Sequence, residues 1–340
     1  MHYLVTGHTG FKGSWLTLIL ARRGHTVSGL GLDPPAGGFF EAAGIASLLS
    51  ADLRVDIRDA AATTAAIGSL RPDVLLHLAA QPLVRESYSD PRTTFETNVM
   101  GTLNVLEAVA ATPSVLGQVI VTSDKVYRNI NQVEGYVEGD ALGGPADPYS
   151  ASKAMADILV QSWTRSFDGP PTAIARAGNV IGGGDVSADR LLPDLLSAFE
   201  RGTRTLIRNP DSVRPWQHVL DCLNGYLLLA DALLDGRGRG EWNFGPGAES
   251  FVPVSIVADV ASAAWGNGAG WTSDNTPHPH EAALLSLNSS KAEIQLGWIN
   301  SLPFPLCLEW TVDWQKRVHS GASALDAAII DLDAFEQLTA

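Results

Sequence analysis

HYLVTGHTGFKGSWLTLILARRG, residues 2–24, is the stretch on which the fold turns. A short β-prone run, HYLVT, enters Gly7-His8-Thr9-Gly10-Phe11-Lys12-Gly13, and the apolar helical pattern SWLTLILAR follows at once. Glycines three apart, between a first strand and a first helix, let backbone amides cradle a pyrophosphate at the helix N-terminus. Gly7 would permit the tight turn, Gly10 would let the backbone approach the phosphates, and Gly13 would pack helix against strand. The alternative is a glycine-rich turn without a ligand, and the placement between strand and helix argues against it.

The rhythm continues outward from there. Strands are expected over 25–32, 51–56, 73–79, 117–122 and 172–178, with helices at 13–23, 59–70, 90–111 and 148–167. Near-continuous apolar strands separated by helices define an α/β fold with a doubly wound parallel sheet of the Rossmann type. After residue 179 the pattern breaks into short strands (204–208, 241–244) and helices (189–201, 221–234, 254–265, 289–296, 306–318), the texture of a smaller C-terminal α/β substrate domain. The expected division is 1–178 for the dinucleotide domain, with 217–243 returning to it, then 179–216 and 244–320 for the substrate domain. Residues 321–340 form a tail containing a short amphipathic helix, DAFEQL. Dinucleotide logic asks for an acid near the end of the second strand to hold the adenosine ribose, and Asp33 is the candidate. It comes slightly late, with Gly31 at the usual place, and no arginine stands beside it in sequence to meet a 2′-phosphate, which favours NAD over NADP. Asp56, at the end of the third strand, suits the adenine edge.

Composition sets limits. The chain has 340 residues, 45% of them apolar, and a formal net charge of -14. Without a basic patch, nucleic-acid binding is not expected. No apolar run is long enough to span a bilayer, and MHYLVTG begins a strand with no basic or apolar leader, so a cytoplasmic location is expected. Cys222 and Cys307 lie in apolar helical patterns and read as small buried hydrophobes. His77 reads as a satisfied strand-end histidine. His278 and His280, separated by proline and without cysteines, read as loop, and no metal site is expected.

Tyr149-x-x-x-Lys153, in DPYSASK, places a phenol and an ammonium on one helix face, with Pro148 at the helix start. A nearby ammonium stabilises a phenolate, lowers its pKa and lets the tyrosine act as a base. Ser123 ends a strand upstream and can hold a substrate hydroxyl beside that phenol. TSDKVY, residues 122–127, then sets Asp124 and Lys125 immediately after the serine.

These residues resemble the extended short-chain dehydrogenase/reductases that act on nucleotide sugars. The glycine fingerprint, HLAAQ at 77–81, TNVMGT at 97–102, Ser123 and Tyr149/Lys153 stand in that family's order. Within it, VTGHTGFKGSWL, TSDKVY, RAGNVIGGGD at 176–185, RPWQHVLD at 214–221, WNFGP at 242–246 and LNSSKAEIQLGW at 287–298 look most like the CDP-glucose 4,6-dehydratase branch. The resemblance covers nearly the whole chain. It implies oxidation of the sugar at carbon 4, loss of water across carbons 5 and 6, and return of the hydride to carbon 6. It adds Phe11, Ile57 and Ala79 to the cofactor contacts, with Tyr149 and Lys153 serving there as well. It implies Asp124 as the acid for the departing water and Lys125 as the base at carbon 5 or as an electrostatic support for the enolate. Each of these roles needs a shifted pKa, and a direct Asp124–Lys125 pair would oppose both shifts. Asn179, Arg190, Arg214 and His218 match nucleotide-sugar contacts, and Trp216 is a candidate to stack on a base. A homodimer through helices 90–111 and 148–167 is also implied. A dehydratase or 4-epimerase for another nucleotide sugar, and a non-catalytic dinucleotide-binding regulator, are the alternatives; the elimination pair argues against an epimerase and the Ser/Tyr/Lys set against a regulator.

Overall fold

The strand that leads into the glycine-rich loop lies inside the sheet, paired along both edges. The computed structural model describes residues 1–132, 134–143, 147–274 and 285–339, so His278 and His280 lie outside the described residues. The chain runs β1 (His2–Thr6), α1 (Phe11–Arg22), β2 (Thr26–Gly31), the single turn α2 (Phe39–Ala42), β3 (Ala51–Arg54), α3 (Ala60–Leu70) and β4 (Val74–His77). Then come α4 (Val84–Ser89), α5 (Pro91–Phe95), α6 (Thr102–Ala110), β5 (Gly117–Val121), α7 (Pro148–Ser166) and β6 (Thr172–Ala177). β7 (Asn179–Ile181), α8 (Leu191–Glu200), β8 (Thr205–Ile207), β9 (Val213–His218), α9 (Val219–Leu234) and β10 (Gly240–Phe244) follow. The chain closes with β11 (Phe251–Pro253), α10 (Val254–Trp265), β12 (Trp271–Ser273), α11 (Ser290–Leu296), α12 (Leu306–His319) and α13 (Ala324–Thr339).

Seven strands pair in the order β10-β6-β5-β4-β1-β2-β3, and every pair is parallel. The chain winds outward from β1 through β2 and β3, then crosses back to β4 and winds the other way. That reversal opens a crevice between the carboxyl ends of β1 and β4, where doubly wound sheets take their ligands. Helices on both faces account for the unbroken apolar runs; all five residues of GQVIV in β5 are buried. Two small sheets, β11-β9-β7 and β12-β8, belong to the second half. The sequence predicts no strand over 213–218, and that stretch forms β9.

Helix starts follow their chemistry. The Asp90 carboxylate accepts from Thr93 N at 3.0 Å, with Pro91 in the first turn, and Asp147 does the same for Ser150 N at 2.8 Å ahead of α7. The helix expected over 90–111 is not regular: between α5 and α6 it widens into π turns at Glu96–Gly101. A Cβ at Gly101 would stand 2.6 Å from Ile57 Cδ1, so the glycine lets this segment sit on the end of the third strand. The tail helix is also longer than DAFEQL, because ALDAAIIDL extends the same apolar face and buries Ala327, Ala328 and Leu332.

Trp15, Trp298 and Trp314 anchor the main core. Trp216 joins them, its Nε1 donating to Val252 O at 3.0 Å, which corrects the base-stacking role expected of it. Cys222 and Cys307 are buried and free. His77 is held between Thr6 Oγ1 at 2.7 Å and Thr102 Oγ1 at 3.1 Å, and burial drives its pKa down to about 3. Among the described residues no helix is long and apolar enough to cross a membrane.

Candidate active site

The loop after β1 is shaped by absent side chains. A Cβ at Gly13 would lie 2.1 Å from Gly7 O, and one at Gly7, where φ is +71°, would lie 2.7 Å from Ala79 N. At Gly10 the nearest atom would be Gly7 O at 3.4 Å, so that position faces open space. No side chain caps α1, whose first amides, beginning with Phe11, point into the crevice with the helix dipole behind them. This cradle of close-packed backbone and free amides fits a dinucleotide pyrophosphate. Ala79 follows β4 on the facing side of the switch point, its N–H donating to Thr6 Oγ1 at 3.2 Å.

At the end of β5 a single 3-10 turn, Asp124–Val126, gathers the second set. Ser123 Oγ accepts from Lys125 N at 3.1 Å and donates to Asp124 Oδ1 at 2.8 Å. Asp124 is 4% exposed, and burial raises its pKa against the pull of Lys125, Ser123 and Arg214. A Cβ at Gly178 would stand 2.9 Å from Asp124 Oδ2, so the glycine after β6 makes room for the carboxylate. The Lys125 ammonium lies 5.7 Å from the centre of the Tyr149 ring, directed at the phenol instead of pairing with Asp124. Tyr149 and Lys153 share a face of α7, and Lys153 Nζ donates to Val121 O at 3.0 Å, pinning helix to strand end.

The electrostatics differ from the expectation at one point. Burial pushes the Tyr149 phenol up to about 12, opposed by the nearby Ser123 hydroxyl and reinforced by Asp124. Lys153, whose Nζ donates to Val121 O at 3.0 Å, is not among the groups that lower it. Burial, followed by repulsion from Lys12, brings Lys153 down to about 7. Lys12 and Gly178 are two residues that sequence reading did not single out. Lys12 sits inside the glycine fingerprint, with Nζ 3.4 Å from Tyr226 Oη, and an ammonium there was a visible signal. The signal for Gly178 was the glycine of RAGN.

The other candidates divide. Asn179 opens β7 beside Trp216 of β9, and Arg214 stands on β9 close enough to act on Asp124. Arg190 ends the loop before α8, with Nη1 3.2 Å from Asp185 Oδ2. His218 is withdrawn from the substrate set: it is 0% exposed, and its Nδ1 accepts from Leu220 N at the start of α9. Asp33 falls beyond β2 with its side chain 91% exposed. The register Gly31↔Arg54 also brings Arg54 within 3.4 Å of it, so an arginine does stand beside Asp33 in space. Arg54 is already held by Asp52, Nη2 to Oδ2 at 2.9 Å. The Asp56 carboxylate turns to Arg58, with Nη2 at 2.6 Å, and the Ile57 side chain is core while its carbonyl accepts from Asn104 Nδ2 at 2.8 Å, leaving its N–H for a ligand.

A nucleotide crevice at the β1/β4 switch point, faced by Ser, Tyr and Lys from β5 and α7, defines an NAD-linked enzyme of the short-chain type, and the chain belongs to the NAD dependent epimerase/dehydratase family, matched over residues 3–245. Over 332 residues it is 44% identical to a CDP-glucose 4,6-dehydratase of Salmonella typhimurium, covering 94% of this chain and 92% of that one. DesIV, a dTDP-glucose 4,6-dehydratase from Streptomyces venezuelae solved with NAD, superposes with a TM-score of 0.81 at 25% identity, over 96% of this chain and 100% of that one. A UDP-glucose 4-epimerase from Thermus thermophilus, solved with NAD, gives 0.80 at 26% identity, over 95% of this chain and 100% of the other.

Proposed function

We propose that this protein is an NAD-dependent CDP-glucose 4,6-dehydratase, a hydro-lyase that makes CDP-4-keto-6-deoxyglucose. The observation that carries the reading is the Asp124–Lys125 turn, set against Ser123 and directed at Tyr149. Oxidation alone needs a serine, a tyrosine and a lysine; a further acid and a further base are required only where water is lost. The likeness to the CDP-glucose enzyme of Salmonella typhimurium supports the nucleotide.

Bound NAD supplies a hydride acceptor for oxidation at carbon 4 and a hydride donor for reduction at carbon 6. Ser123 holds the 4-hydroxyl and Tyr149, acting as the phenolate, takes its proton as the ketone forms, with Lys153 holding the helix to the strand end through the Val121 carbonyl. The ketone acidifies the carbon 5 proton, which Lys125 removes in its neutral amine form. Asp124, whose pKa burial raises, delivers a proton to the departing carbon 6 hydroxyl, so water leaves as a neutral molecule. Lys125 then returns its proton to carbon 5. Asn179 and Arg214 hold the nucleotide diphosphate, Arg190 assisting from the loop before α8. Gly7, Gly10, Phe11, Gly13, Ile57 and Ala79 hold the cofactor, and Asp56 the adenine edge.

Support for a homodimer comes from exposed Met100, Met155 and Ile158 on the α5–α7 face, and two free cysteines accord with a reducing cytoplasm. The deciding experiment offers purified protein CDP-, dTDP-, UDP- and GDP-hexoses with NAD and weighs the products. Loss of one water from the CDP sugar alone is expected; no mass change with any sugar, or isomerisation without mass loss, refutes the reading.

A further inference from the structure

Beneath the reacting groups lies a polar hub that none of the assigned steps uses. Arg176 on β6 is 0% exposed and meets Asp157 on α7 through two bonds, Nε to Oδ2 at 2.8 Å and Nη2 to Oδ1 at 2.7 Å. Its Nη1 donates to Tyr127 Oη at 2.8 Å and to Glu138 O at 3.0 Å. Tyr127 in turn donates to Asn243 Oδ1 on β10 at 2.7 Å. Thr122 Oγ1 and Gln161 Nε2 complete Asp157, each at 2.9 Å.

An ion pair this deep carries a desolvation cost that apolar packing avoids, so stability is a weak reason for its presence. A fully satisfied hub does something apolar packing does less well: it fixes distances. Its members adjoin every reacting group in the chain. Thr122 precedes Ser123, and Tyr127 closes the turn that carries Asp124 and Lys125. Asp157 lies one helical turn beyond Lys153 on the face of α7 that also carries Tyr149, and Arg176 stands two residues before Gly178, the seat of the Asp124 carboxylate.

We propose that Tyr127, Arg176 and Asp157 are positioning residues that hold the elimination pair, Asp124 and Lys125, at a set distance from the oxidation pair, Tyr149 and Lys153. This rests on the function proposed above. The Tyr127 hydroxyl is the link between the turn and the rest of the hub. Its removal frees the turn while the Asp157–Arg176 pair and the Thr122 bond keep α7 seated on β5. The defect is therefore selective: water loss slows and oxidation does not.

The test is Tyr127→Phe in the full chain, with two measurements. Hydrogen exchange over 123–127 should quicken ~10-fold while 149–157 keeps its protection. With NAD and CDP-glucose, substrate-dependent absorbance at 340 nm follows oxidation and product mass follows water loss. Water loss should fall ~10-fold or more while oxidation stays within about twofold of wild type. Equal slowing of both steps, or unchanged exchange over 123–127, overturns the proposal. Asn243→Ser removes the acceptor of the Tyr127 hydroxyl but leaves Arg176 Nη1 on it, so it should give a smaller split in the same direction, and it serves if the first variant does not fold. If the wild type removes no water from CDP-glucose, the proposed function fails, and hydrogen exchange still decides on positioning.

Discussion

The glycine loop after β1 and the Ser123–Tyr127 turn after β5 leave the same edge of one sheet, yet they are specified in opposite ways. The loop works by missing atoms: Gly13 packs against Gly7, six positions away, and all three glycines lie inside one strand-turn-helix unit, with Ala79 closing on Gly7 from beyond β4. The turn works by buried polar atoms whose partners arrive from afar, Tyr127 meeting Asn243 across 116 residues. A site built by omission tolerates no addition, whereas a site built from buried charge tolerates no removal.

Variants can press on each side of that contrast. The largest effect is expected from Lys125→Met, which should still bind NAD and CDP-glucose and still give the 340 nm signal, while product formation by mass falls ~10²–10⁴-fold. Unchanged turnover would take Lys125 out of the reaction. Gly13→Ala adds a Cβ 2.1 Å from a backbone oxygen that cannot yield, so a loss of about 3 kcal/mol in stability is expected. Thermal unfolding with and without NAD checks this, and the stabilisation normally given by NAD should vanish as well. Gly178→Ala is an addition made inside the polar site, where a Cβ would crowd Asp124 Oδ2 at 2.9 Å. The fold should survive and water loss should slow ~10-fold, read as kcat at saturating sugar. The smallest effect belongs to Asp33→Ala, a side chain 91% exposed whose charge meets Arg54 in solvent. NAD affinity by calorimetry should change less than ~3-fold. A larger loss would mark Asp33 as the ribose contact that its place after the second strand suggests.

The same contrast explains what could be read in advance. Spacing places Gly7, Gly10 and Gly13, and apolar alternation places every strand of the main sheet, because those signals are local. Ser123, Asp124, Lys125, Tyr149 and Lys153 are legible as residue types; their meeting depends on β5 lying beside α7. His218 misled because a histidine ahead of a helix serves equally well as a cap, and only burial tells the two apart. Arg54 was hidden by register: nothing in the second strand reveals what the third will set beside Asp33. The π turns at Glu96–Gly101 end at a glycine that lies against Ile57, a contact invisible along the chain.

The seventh strand carries a consequence for how this molecule can be made and cut. β10 lies against β6 in the sheet but leaves the ribosome only after β7, β8, β9, α8 and α9. Until then the nascent chain presents β6 as a bare edge, and Asn243 has not yet reached Tyr127. The two halves therefore cannot be expressed as separate working pieces by cleaving after residue 178, because the first piece would lack both its outer strand and one arm of the hub.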